Sequence, residues 1–152
     1  MVKKISISSL CISLMIFFSA CTRNNGDIGP LFGNWRVETL SADGEDMPLY
    51  EGDVLLYTWS FQSHIIVINS ILPHDDADAV RGTWSITDKE LLLDFDHTDI
   101  DGSLNYTPPP ALHLDGGAVN RLAILKYTSS ELMLERSGVD GIKYVYHLKK
   151  AY

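Results

Sequence analysis

Apolar and polar residues alternate along most of the chain with a period of two rather than 3.6, which marks strands with one face buried. Gly33 to Leu40 places Trp35, Val37 and Thr39 on one face. Tyr57, Trp59 and Phe61 alternate with Thr58, Ser60 and Gln62, and Trp84 and Ile86 alternate with Thr83, Ser85 and Thr87. His64 to Ile71 is a nearly unbroken β-branched run, which predicts a strand buried on both faces. Leu91, Leu93 and Phe95 follow, then Leu122 to Tyr127, then Leu132 and Leu134. Ile142, Tyr144, Tyr146 and Leu148 complete a set of eight predicted strands.

The links between these strands decide the architecture. Gln62-Ser63, Asp88-Lys89 and Ser129-Ser130 each read as a two-residue hairpin connection, too short for a crossover helix. Short links force antiparallel neighbours. Eight sequential antiparallel strands predict an all-β, up-and-down barrel, because closure removes the exposed edges of a flat meander. A two-sheet β-sandwich is the alternative. Two connections are longer: 41–53, with Pro48 and Gly52, and 97–119, with Pro108-Pro109-Pro110 and Gly116-Gly117. Leu104, Tyr106, Ala111 and Leu112 in the second predict packing, as a lid over a barrel mouth.

The N-terminus follows a different rule. Lys3 and Lys4 precede an apolar stretch from Ile5 to Phe18, interrupted by serines and too short to span a bilayer. Residues 1–20 therefore read as a cleaved secretory signal. Cys11 leaves with that segment, so Cys21 is the single thiol of the mature chain and has no internal disulfide partner. Phe18-Ser19-Ala20-Cys21 resembles the lipobox of bacterial lipoproteins. That resemblance implies that Cys21 is lipidated, with palmitate-type acyl chains anchoring the protein to a membrane. Thr22 in place of Asp implies the cell outer membrane, facing the periplasm, rather than retention at the inner membrane. Residues 21–30, rich in Asn and Gly, form a flexible tether, and residues 31–152 form the domain.

Charge then narrows the partners. The formal net charge is −8, and loss of Lys3 and Lys4 takes it to −10. Such a chain is repelled by phosphate backbones, so nucleic acid is excluded as a partner. The spacing Asp94-x-Asp96-His97-x-Asp99-x-Asp101-Gly102 offers alternating oxygens of the kind a calcium loop uses, but it lacks the EF-hand register and a closing Glu. His74-Asp75-Asp76-x-Asp78, with His97 or His113, lacks a close pair of histidines for zinc. No metal or cofactor is therefore expected. No Gly-x-Ser-x-Gly elbow, phosphate loop or free mature cysteine is present, so no catalytic residues are assigned and the protein is not expected to be an enzyme. His64 and His147 read as rim residues.

Gly33-Asn34-Trp35, behind Pro30-Leu31-Phe32, resembles the Gly-x-Trp signature of lipocalins. It resembles more strongly the lipocalin-like domains of small Gram-negative lipoproteins, whose late strand pair is similar to Leu132-Met133-Leu134-Glu135 and Tyr144-Val145-Tyr146-His147-Leu148. The resemblance implies a barrel over most of residues 31–150, with Gly33 and Trp35 as its structural signature and Arg136 packing over Trp35. Physically, the Trp plugs the closed end while the Gly lets a neighbour pass close. Lys126-Tyr127-Thr128-Ser129 stands where lipocalins carry Thr-Asp-Tyr, and no helix is expected after the last strand, so retinoid-type ligand binding does not carry over.

Tyr57, Trp59, Phe61, Trp84, Tyr127, Tyr144 and Tyr146 are the candidate ligand-binding residues, lining the interior for a small apolar or amphipathic molecule. An eight-stranded barrel is only just wide enough for its own side chains, so the same aromatics could simply fill it. Two readings follow. One is a lipid-anchored carrier or sensor with a ligand in the barrel. The other is a non-enzymatic interaction module of a cell-envelope complex, with a solid barrel and the 97–119 loop as its contact with a protein partner.

Overall fold

The computed structural model describes residues 29–49, 56–71, 78–97, 102 and 104–151. Residues 1–20, Cys21 and the tether as far as residue 28 lie outside the described residues. The strands are β1 (Gly33–Ala42), β2 (Glu45–Met47), β3 (Leu56–Gln62), β4 (Ile65–Ile71), β5 (Asp78–Ile86), β6 (Glu90–Asp94), β7 (Asn120–Tyr127), β8 (Glu131–Ser137) and β9 (Lys143–Ala151). From β3 onward each strand pairs antiparallel with the next, β1 pairs with β3, and β9 returns to pair along β1 from Asn34↔Ala151 to Ala42↔Tyr144. The result is a closed eight-stranded antiparallel barrel and not a sandwich. β2 is an addition to it, paired with Leu40, Ser41 and Ala42 of β1. The 41–53 connection thus contains a strand, which the polar Glu45-Asp46 does not announce.

The tight hairpins share one construction. At Thr87 and again at Thr128 the backbone N–H donates to the carbonyl of the Glu three residues on. The threonine hydroxyl in turn accepts the backbone N–H groups of the two residues before β6 or β8 is under way, Lys89 and Glu90 or Ser130 and Glu131. This is how a hydroxyl side chain stands in for the missing partners of a turn. Both turns, with Ser63-His64, lie at the end where β1 begins. The Asp43-Gly44 turn, the 138–142 turn and the 104–119 segment lie at the other.

Two bulges set which side chains face inward. A register shift between Val37 and Thr39 sends Leu40 inside and leaves Thr39 exposed, against the expected alternation. Another between Ile124 and Lys126 puts Tyr127 opposite Leu132. A bulge reverses inside and outside beyond it. β4 differs from expectation as well: Ile66 and Ile68 are fully buried, but Ile65 is 49% exposed. Its outer face meets solvent because no second layer covers a closed barrel, so a β-branched run there is buried on one face only.

The core is continuous, and Trp35, Trp59, Tyr146, Phe61 and Phe95 are its largest fully buried side chains. Phe95 fits because residue 82 is glycine. A Cβ there would stand 2.6 Å from Phe95 Cδ1 and 2.7 Å from the Asp94 carbonyl oxygen. Gly82→Ala should therefore destabilise the barrel by about 1–3 kcal/mol through overpacking. Urea unfolding measures this, and an unchanged midpoint would contradict the packing described.

Candidate functional site

The candidate site is the barrel interior, and its boundaries are the two segments that cross its ends. At the end where β1 begins, residues 29–32 form a plug whose Leu31 is fully buried. Three successive carbonyls of that plug are each met by a different strand. Tyr127 of β7 donates its hydroxyl to Pro30, Trp35 of β1 donates Nε1 to Leu31 at 2.7 Å, and Lys150 of β9 donates to Phe32. Lys150 Nζ also stands 4.5 Å from the centre of the Trp35 ring, a cation–π contact. Burial holds its pKa below that of an ordinary lysine. Gly33 has a φ of +109° and lets the Lys150 side chain pass, since a Cβ would meet Nζ at 3.1 Å.

The cation over the signature tryptophan is thus Lys150, not Arg136. Lys150 is the register partner of Trp35, whereas Arg136 lies far along β8, opposite Tyr144. There it serves the second closure. Pro110–Leu112 forms one 3-10 turn that drops Leu112, fully buried, into the other mouth. Tyr146 Oη donates to the Leu112 carbonyl at 2.7 Å, and Arg136 Nη1 donates to the His113 carbonyl at 2.6 Å. His113 stacks on Tyr144 at 4.6 Å with 14° between the rings. Asn120, 1% exposed, fastens the far side of the lid: its Oδ1 accepts from the Asp115 N–H at 2.7 Å and its Nδ2 donates to the Asp115 carbonyl at 2.8 Å. The lid expected over 97–119 is thus present across 104–119, with its apolar side chains Pro108 and Leu112 turned inward.

Between plug and lid runs an aromatic wall. Trp84 meets Phe61 edge-on at 5.2 Å, Phe61 meets Trp59 at 6.5 Å, and Trp59 meets Tyr146 at 5.7 Å. Tyr57 shares their face one step nearer the lid, and burial raises the pKa of its hydroxyl. These five of the seven candidate residues come together. Tyr144 sits at the lid rim, its hydroxyl donating to Asp140 Oδ2 at 2.9 Å. The Ile142 N–H, and then that hydroxyl, hold the Asp140 carboxyl below the usual carboxylate range. Tyr127 lies outside the wall: it is 43% exposed and tilts over Trp35 at 6.4 Å.

Two donors in this wall have no acceptor. Trp59 Nε1 and Trp84 Nε1 are buried without a hydrogen-bond partner among the described residues. A buried donor left unmet costs about 1–3 kcal/mol, and folded proteins carry few of them. Trp35, the third tryptophan, has its acceptor in Leu31. The interior therefore presents apolar ring faces together with two directed N–H groups, which suits an oxygen-bearing, largely apolar molecule.

The remaining candidates lie outside the wall. His64 is in an exposed turn, and His97 is exposed beside Thr83 and Tyr106. His147 bonds Glu131 at 2.7 Å on the outer face. Among the described residues no three His, Cys, Asp or Glu side chains gather where a metal could be held. Asp99 and Asp101 of the acidic stretch, and His74, Asp75 and Asp76, lie outside the described residues. Asn120 and Lys150 are the residues sequence reasoning missed, and Arg136 the one it misplaced, whereas Leu112 packs as the lid residue expected. Of the two missed, Asn120 left a sequence signal, a polar residue opening a strand after Gly-Gly.

Removing one lid bond tests this geometry. Tyr146→Phe strips the Leu112 carbonyl of its donor at little cost in volume. The expected loss is about 1–3 kcal/mol, with faster amide exchange at residues 111–113. Unchanged exchange there would contradict the closure described.

No protein-family model matches the chain, and neither does any curated protein. Two solved structures share its fold. A lipocalin-like protein from Bacteroides uniformis ATCC 8492 superposes with a TM-score of 0.54 at 17% identity, over 81% of this chain and 100% of that one. An uncharacterized protein from Bacteroides eggerthii DSM 20697 superposes with a TM-score of 0.52 at 14% identity, over 79% of this chain and 98% of that one. The barrel of this chain is lipocalin-like in architecture.

Proposed function

We propose that the protein is a lipid-anchored envelope protein whose lipocalin-like barrel binds one small amphipathic molecule and catalyses no reaction. The observation that carries the binding reading is the pair of unpartnered indole donors, Trp59 Nε1 and Trp84 Nε1, in one aromatic wall. Ligand oxygens that accept from them would remove a desolvation cost the empty barrel bears. The ring faces of Tyr57, Phe61 and Tyr146 would take the apolar part. Entry is by the lid, where Leu112 occupies the mouth. The anchor reading rests on Ser19-Ala20-Cys21, which resembles a lipobox, and the outer-membrane, periplasm-facing reading rests on Thr22.

The second reading is a solid barrel that serves as an interaction module. Its support is the tightness of the core, with Trp59, Phe61 and Tyr146 each fully buried. Of the apolar side chains of the lid, Pro108 and Leu112 are buried, which leaves the half-buried Leu104 and Tyr106 for such a contact surface.

Native mass spectrometry of the protein extracted from its host's membranes separates the two. Binding predicts a stoichiometric non-covalent mass beyond the acyl chains. Trp59→Phe and Trp84→Phe each keep an aromatic ring, with less bulk, and remove one donor, so each should weaken retention at least roughly fivefold, the worth of about 1 kcal/mol for the lost bond. A wild-type protein that arrives empty and pulls down a protein partner would sink the carrier reading.

A further inference from the structure

The two ends of the barrel differ in charge and in exposed apolar surface, and the chain enters at only one of them. Gly29, against the Trp84 ring, leads into the plug, and Cys21 stands eight residues before it. Even fully extended, those residues reach no more than about 29 Å, so acyl chains on Cys21 would tie the plug end close to a bilayer. Lys89, Lys126, Lys149 and Lys150 belong to that end, against Asp88, Glu90 and Glu131. Lys126 is paired with Glu131, and Lys150 is occupied by Phe32, but Lys89 and Lys149 have no ion partner among the described residues. Asp43, Glu45, Asp46, Asp115, Glu135 and Asp140 belong to the lid end, against Arg136 and Lys143. The plug end is thus the less acidic pole of a chain of net charge −8.

The exposed large apolar side chains follow the same polarity. Phe32 is 49% exposed, Ile65 49%, Leu125 53% and Tyr127 43%, all at the plug end. Phe32 and Tyr127 flank the plug itself, and the Tyr127 hydroxyl is fixed on the Pro30 carbonyl. Aromatic rings with a lysine fringe are the composition that settles at a headgroup layer. Val119, 48% exposed, and Val139, 98% exposed, are the exceptions, and both stand at the lid end.

From this we propose that the plug end is a membrane-docking face that rests on anionic phospholipid headgroups, with Phe32 and Tyr127 at the interface and Lys89 and Lys149 among the phosphates. The inference rests on the anchor reading and adds orientation to it. Acyl chains alone would let the barrel tumble on its tether, whereas the docked face holds it upright. The acidic lid end then points away from the bilayer, so the ligand enters from the aqueous side.

The test uses the mature lipoprotein in vesicles of phosphatidylcholine, with and without phosphatidylglycerol at roughly one part in four. Flotation reports the anchor, and amide hydrogen exchange reports the docking. Docking predicts that amides of residues 29–33 and 128–131 exchange about fivefold or more slowly on the anionic vesicles than on neutral ones, while those of 138–142 do not change. Lys89→Gln and Lys149→Gln should each remove about fivefold of that protection, since one lysine near an anionic surface is worth that much. A protein that floats yet shows no slowing, or equal slowing at both ends, overturns the docking and leaves the anchor standing. A protein that does not float overturns the anchor reading and the docking with it.

Discussion

A barrel removes the edges of its sheet but leaves two ends, and any chain crossing an end buries carbonyls that the ladder cannot satisfy. Buried backbone acceptors must find donors or cost free energy. Here the donors come from inward-facing side chains near the strand ends. Tyr127, Trp35 and Lys150 answer Pro30, Leu31 and Phe32 at one end. Tyr146 and Arg136 answer Leu112 and His113 at the other. In each case one leucine drops to full burial and neighbouring carbonyls are bonded by a ring donor and a cation. Trp35 is therefore more than filler, because its N–H and its ring face are both in use.

What lies between the closures inherits their constraints. With Leu31 and Leu112 both buried, the aromatic wall lies between two closed ends, and two of its indole donors have no partner among the described residues. The two closures are nonetheless unlike. The plug belongs to the chain leading into β1, and three strands hold it. The lid is a long insertion between β6 and β7, held by Tyr146, Arg136 and Asn120 and bridged to Val80 through Asn105. A segment attached through a few polar contacts opens at lower free energy than one continuous with a strand. The proposed entrance at the lid and the proposed foot at the plug both rely on that asymmetry.

Much of this fold was legible in the sequence, because a closed barrel enforces the period-two alternation that Tyr57-Trp59-Phe61 and Tyr144-Tyr146-Leu148 display. The hairpins were legible through their short links, although Thr87 and Thr128 contribute more to them than the residues between. The bulges were not legible. Glu38 and Leu125 carry no mark of being the extra residue, so the alternation puts Thr39 on the buried face, and Tyr127 joins the face of Leu132 only through the bulge, at the barrel rim outside the wall. β4 misled for another reason: Ile65 and Val67 satisfy strand propensity without being buried, and propensity cannot report the second face. The five interior aromatics were recoverable as a set because they share strand parity. The donors that close the ends were not, since Lys150 meets Trp35 through register, a pairing of residues far apart in the chain. The lipidation of Cys21 remains a reading of sequence alone.

Two of the three indoles, Trp59 and Trp84, lack acceptors among the described residues, and the ligand proposal rests on them. The direct measurement is the nitrogen–proton NMR spectrum of the indole groups, recorded on the protein as isolated from its host and again after the bound molecule is stripped. The expected result is that the Trp59 and Trp84 resonances move on stripping while that of Trp35, held on Leu31, stays in place. Three unmoved resonances, or a shift confined to Trp35, would contradict a ligand in this barrel.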